Sequence, residues 1–192
     1  VTDRGSQFGF WAMERRQICW AHLIRKFASF SELRGRPGEI GANLLMWSQV
    51  LLHSWHRVRD GTGTRADLKA VANNLRALME QLLDEGAGLP MKGFQGACRN
   101  ILEHREALWR FVFESGVDPT NNHAERELRR FVMWRKTSLG SQSQRGDDFA
   151  ARVMTVVHTL RKQDRHVLSF LRDTITASLH GTTRPSLIPV AP

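Results

Sequence analysis

Asp118-Pro119-Thr120-Asn121-Asn122-His123-Ala124-Glu125-Arg126-Glu127-Leu128-Arg129-Arg130 is the most informative stretch of this chain. Ser115-Gly116-Val117-Asp118-Pro119 reads as a loop, and Thr120 or Asn121 is placed to cap a helix from about residue 122 to 133. On that helix Asn122, Glu125 and Arg129 fall on one side, at i, i+3 and i+7, while Leu128, Phe131 and Val132 mark an adjoining buried face. A carboxylate at the edge of an apolar face needs a partner. Arg129, four residues on, would give an ion pair worth a few tenths of a kcal/mol. A bound cation is the other candidate, because carboxylate oxygens are hard ligands suited to Mg²⁺. Spacing alone favours the ion pair.

A basic cluster, Arg126, Arg129, Arg130, Arg135 and Lys136, surrounds Trp134 and leads into a Gly-Ser-Gln loop from 140 to 146 that contains Arg145. Cations, an aromatic ring and small hydroxyls beside a glycine loop suit phosphate and sugar contacts; a solvated helix face explains them equally well. The whole chain leans the same way. Its 192 residues hold 28 Lys+Arg against 19 Asp+Glu, a net charge of +9, and 23 of the 28 are Arg. Arginine's planar fork matches phosphate oxygens, so the balance points to a polyanionic partner such as nucleic acid.

Outward from this stretch the chain reads as helices. Helical spacing runs over 21–33, over 40–58, behind a capping-box-like Thr64/Asp67, over 94–113, over 147–163 and over 167–179. Residues 34–38 read as a loop, 15–20 as a short strand, and the last twelve, with Pro185, Pro189 and Pro192, as a frayed tail. A hydrophobic content of 41% with six Trp supports a buried core. No apolar run is long enough to span a membrane, and Asp3 and Arg4 interrupt any signal-peptide pattern. Two cysteines fit a reducing cytoplasm rather than a disulfide framework. Starting at Val1, the chain reads as a piece of something longer.

Two smaller features complete the reading. Asp3, in Val1-Thr2-Asp3-Arg4-Gly5, sits either at the end of a strand or in a turn that it caps, and local pattern favours the turn. Cys19-Trp20-Ala21-His22 has the spacing of half a zinc site, but a tetrahedral site needs four ligands, and packing is the simpler account.

Taken together, Val1-Thr2-Asp3-Arg4, Cys19-Trp20-Ala21-His22-Leu23-Ile24-Arg25-Lys26-Phe27 and the run from Asp118 to Gly140, with Asn121 and Asn122 in its core, resemble the C-terminal part of bacterial insertion-sequence-66-type transposases of the DDE, RNase-H-like superfamily. The resemblance implies a mainly α chain with a small β remnant: a truncated RNase-H-like α/β core interrupted by an all-helical insertion. It implies a partial core over 1–36, an insertion over 37–114, the rest of the core over 115–180 and a tail over 181–192. It also implies catalytic, metal-holding roles for Asp3 and Glu125 with Mg²⁺ or Mn²⁺, and DNA contacts from Arg126, Arg129, Arg130, Arg135, Lys136 and Arg145. Cys19, His22, Asn121 and Asn122 are motif positions in the same resemblance.

The implied activity is metal-dependent DNA cleavage and strand transfer on transposon ends and target DNA. A homo-oligomeric complex at the bacterial nucleoid, in the cytoplasm, would carry it out. The family's first acid would lie upstream of Val1, so the isolated chain is expected to be inactive. The competing expectations are a non-catalytic, basic helical nucleic-acid-binding protein and a helical interaction scaffold.

Overall fold

The computed structural model describes residues 1–188; Pro189 and Pro192 of the expected tail lie outside them. The described residues are mainly helical, and their only β pairing is an isolated parallel bridge between Thr2 and Ile18. The expected strand over 15–20 is therefore reduced to one bridged residue, because Met13–Arg15 closes into a 3₁₀ turn just before it. Two compact units are present, Val1–His123 and Ala124–Pro192.

The first unit is a series of packed helices: α1 (Trp20–Ser31), α2 (Arg36–Arg59), α3 (Arg65–Gly88) and α4 (Lys92–Glu103), each against the next. Each exists because its apolar residues recur at three- and four-residue steps and so share one face. That face is Trp20, Leu23, Phe27 and Phe30 on α1, and Ile40, Leu44 and Leu51 on α2. On α3 it is Leu68, Ala72, Leu75, Met79 and Leu83, and on α4 Phe94, Cys98 and Ile101. Phe30 meets Phe94 edge to face at 4.6 Å, tying α1 to α4. Two ends are set by local chemistry. Pro37 lies in the first turn of α2, where a missing N–H costs nothing, so the expected loop over 34–38 is half helix. Thr64 and Asp67 form a reciprocal capping box at the start of α3, with Thr64 N donating to Asp67 Oδ2 at 2.9 Å and Asp67 N to Thr64 Oγ1 at 3.2 Å.

The expected helix over 94–113 is broken after Glu103. His104 N bonds to the Ile101 carbonyl, while the His104 ring Nδ1 takes the Asn100 carbonyl at 2.8 Å. A side chain thus occupies the acceptor that α-helical geometry reserves for the backbone, and the chain tightens into a 3₁₀ turn, Arg105–Leu108. A single turn, α5 (Arg110–Phe113), follows, and Ala107, Leu108, Trp109, Phe111 and Val112 are all buried.

The second unit contains most of α6 (Asn122–Thr137), then α7 (Gln144–Lys162) and α8 (Val167–His180). Ser143 caps α7 through Gly146 N, and His166 caps α8 through Ser169 N. No helix among the described residues is long and apolar enough to cross a membrane.

Gly41 lies where α2 crosses the end of α1. A Cβ there would sit 2.5 Å from the Phe30 carbonyl carbon, which is backbone and cannot swing aside. Gly41→Ala is expected to destabilise the first unit by roughly 1–3 kcal/mol, read from the urea midpoint. Cys19 and Cys98 are both buried thiols with no disulfide. Burial pushes the Cys98 thiol from about 9.0 up to about 11, with nearby Lys26 acting in the opposite direction. The folded chain holds that proton longer than the unfolded chain, so this contribution to stability is complete below pH 9.0 and is lost as pH rises to about 11. Cys98 should resist alkylation at pH 8 until the chain is unfolded, and a Cys98→Ala variant should show a smaller alkaline loss of stability.

Candidate functional site

Arg16 to Trp20 is the strip on which the N-terminal residues are laid. Thr2 N donates to the Gln17 carbonyl at 2.9 Å, and Cys19 N donates to the Thr2 carbonyl at 2.8 Å. On the other side Ile18 N reaches the Ala107 carbonyl at 2.8 Å, and Trp20 N reaches the Pro119 carbonyl at 2.9 Å. The Gln17 side chain, 2% exposed, makes three further bonds. Its Nε2 donates to the Ile18 and Leu108 carbonyls at 2.8 and 2.9 Å, and its Oε1 accepts from Phe111 N at 2.8 Å. Trp20 Nε1 also donates to the Leu108 carbonyl, at 2.7 Å.

Asp3 directly follows the bridged Thr2 and is half-buried. Its Oδ1 accepts from Gly5 N at 2.8 Å, the turn that the local pattern favours. Neighbouring Arg4 donates to Asn100 Oδ1 at 3.2 Å. Burial lowers the Arg4 pKa from its ordinary value, and the charge of Asp3 acts to raise it.

Cys19 is fully buried, His22 half-buried, and their ligand atoms lie within 4.8 Å of each other. Asn121 N donates to Cys19 Sγ at 3.4 Å. Asn121 does not cap α6 with its side chain: its Oδ1 is buried and accepts no hydrogen bond. Cys19 is packed in the core, as the sequence reading favoured; its thiol as acceptor for Asn121 N at the entrance to α6 was not foreseen, and nothing in the spacing signals it.

In the second unit α6 has two contrasting sides. Arg126, Arg129, Arg130 and Lys136 are exposed and fall within one arc at 3.6 residues per turn. Arg135 and Arg145 are exposed on either side of the 138–143 loop. Glu125, in the first turn of α6, is half-buried. The opposite side carries Glu127, Leu128 and Phe131, which with Ala151, Met154, Thr155, His158 and Lys162 of α7 enclose a cavity of about 420 Å³. Glu127 Oε2 lies 3.1 Å from His158 Nδ1 and 3.5 Å from Lys162 Nζ. Leu128, expected on a buried face, is 60% exposed, and Phe131 and Val132 are only half-buried. The periodicity was sound, but α7 leaves an opening where that face was expected to close.

Comparison with known proteins places the chain among transposases. The sequence profile described as "Transposase IS66 family" matches residues 11–148, and the chain belongs to that family. Glu125 and the arginines of α6 lie inside the matched span; Asp3 precedes it. A curated relative, the uncharacterized protein y4qI of Sinorhizobium fredii, is 29% identical over 168 residues, covering 85% of this chain. The chain spans 31% of that relative's length. No solved structure matches.

Replacing Gln17 with Met keeps its volume but leaves Phe111 N and the Ile18 carbonyl without these bonds, whereas the Leu108 carbonyl keeps Trp20. Gln17→Met should therefore destabilise the first unit by about 2–4 kcal/mol, read by urea denaturation monitored through tryptophan fluorescence.

Proposed function

We propose that this chain is the C-terminal part of the catalytic domain of a DDE-type transposase. In this reading an RNase-H-like core, to which residues 1–36 and 115–180 contribute, is interrupted by the helical insertion over 37–114. The observation that carries it is the exposed arc of Arg126, Arg129, Arg130 and Lys136 on α6, close in sequence to the half-buried Glu125, in a member of a transposase family. Guanidinium groups held at helical spacing neutralise successive phosphates and release condensed counterions, which supplies sequence-independent affinity for DNA.

Asp3 and Glu125 each offer a carboxylate, the oxygen donor that Mg²⁺ or Mn²⁺ takes. Asp3 fits such a role in its own surroundings: it is half-buried, and its Oδ1 is already oriented by Gly5 N. A divalent ion bound by such carboxylates would polarise phosphoryl oxygens and lower the pKa of the attacking hydroxyl. The protein's own part is to orient the carboxylates and to hold the DNA backbone through the cations of α6, with Arg135 and Arg145 beside the following loop.

Fluorescence anisotropy with a duplex oligonucleotide of arbitrary sequence tests the DNA contact. Log affinity should fall linearly with log salt, with a slope of about −0.9 for each phosphate contacted. Arg129→Ala and Arg130→Ala should each reduce that slope by about one. An affinity that stays constant between roughly 50 and 200 mM salt would overturn the reading and leave the helical scaffold in its place.

A further inference from the structure

Arg16 is 2% exposed, which is unusual for a guanidinium. Burying this charge is costly unless its donors find acceptors. Its Nη2 donates to the Asp3 carbonyl at 3.2 Å and to Thr2 Oγ1 at 3.5 Å, and its Nη1 approaches Met13 Sδ at 4.0 Å. Its Nε is buried with no hydrogen-bond partner. The side chain is therefore not placed for its own satisfaction. Its two oxygen acceptors belong to consecutive residues, Thr2 and Asp3.

We propose that Arg16 is a positioning residue for Asp3. This rests on the reading of Asp3 as a metal-holding carboxylate. The bridge to Ile18 fixes Thr2 through its backbone, but that pairing ends there. Asp3 is beyond it, and its main chain would be able to rotate about the last bridged residue. Arg16 extends the hold by one residue: it takes the Asp3 carbonyl from within the protein, while Gly5 N takes Oδ1 at 2.8 Å. Backbone and side chain of Asp3 are thus gripped from two sides, leaving Oδ2 to be presented in a fixed direction. A buried fork does this better than an exposed one, because no water competes for its donors.

The test uses the chain itself in three variants, R16Q, R16K and D3N. Two signals are followed: amide hydrogen exchange by NMR, and Mn²⁺ affinity from the electron paramagnetic resonance of free Mn²⁺. In R16Q the amides of Gly5 and Cys19 should exchange at least about tenfold faster while those of α2 and α3 keep their wild-type rates, and Mn²⁺ affinity should fall roughly 10–100-fold. R16K keeps the charge but loses the fork, so it should lie between wild type and R16Q with an unchanged global unfolding midpoint. If R16Q fails to fold, R16K decides the matter alone. Wild-type exchange at Gly5 together with wild-type Mn²⁺ affinity in the folded variant overturns the proposal. D3N separates the two readings. If D3N binds Mn²⁺ as tightly as wild type, the metal role of Asp3 fails, and the exchange rates at Gly5 and Cys19 still decide whether Arg16 holds this segment.

Discussion

The buried amide of Gln17 is the constraint on which the first unit depends. The unit has almost no sheet to satisfy the backbone where the N-terminal segment, the 104–113 turns and the approach to α6 come together. Unpaired backbone groups in such a place each carry a desolvation penalty of about 1–3 kcal/mol. One side chain with two donors and one acceptor meets that demand at Ile18, Leu108 and Phe111. Trp20 adds its indole donor to the Leu108 carbonyl and stacks edge-on with Trp109 at 5.3 Å, so polar and apolar fastening coincide. Helices α1 to α4 pack through their apolar faces, and the Gln17 amide ties the segment before α1 to Leu108 and Phe111 beside the backbone bond from Ile18 to Ala107.

The helices were largely legible in the sequence, for a physical reason. Over α1 to α3 the apolar residues recur with little interruption, and the capping box at Thr64 announces a helix start in four residues. What failed was the region where side chains substitute for backbone. The stripe of Ile101, Leu102, Leu108, Trp109 and Val112 continues past residue 104 as if the helix did. The break comes from a histidine ring taking its own helix's carbonyl, which periodicity does not encode. The strand expected over 15–20 shrank to a single bridge in the same way. Its neighbours pair with turns and side chains rather than with a second strand.

The candidate site was legible in part. The basic cluster was legible as composition, but its arrangement was not: α6 runs on to Thr137, past the expected end near 133, and this extra turn puts Lys136 in one arc with Arg126, Arg129 and Arg130. Asp3 was read as a strand-end acid or a turn acid, with local pattern favouring the turn; its Oδ1 accepts from Gly5 N as that turn requires, and it also directly follows the bridged Thr2. Gln17 and Arg16 were passed over because both are polar residues in an exposed-looking run, Glu14-Arg15-Arg16-Gln17. Only burial distinguishes Arg16 from Arg15, and Gln17 takes its partners at Leu108 and Phe111, far along the chain.

The two units rest on very different amounts of hydrophobic core. Among the described residues the second buries only Ala150, Leu160 and Ala177, two of them with a single methyl group, while Leu128, Phe149, Leu168, Ile175 and Leu179 stay exposed. Burial free energy scales with apolar area removed from water, so this unit draws little of its stability from within. Any polyanion that binds its folded form alone raises the folded population by mass action. For α6 to α8, a ligand that binds only the folded form would therefore add to a stability that the unit's own core supplies sparingly.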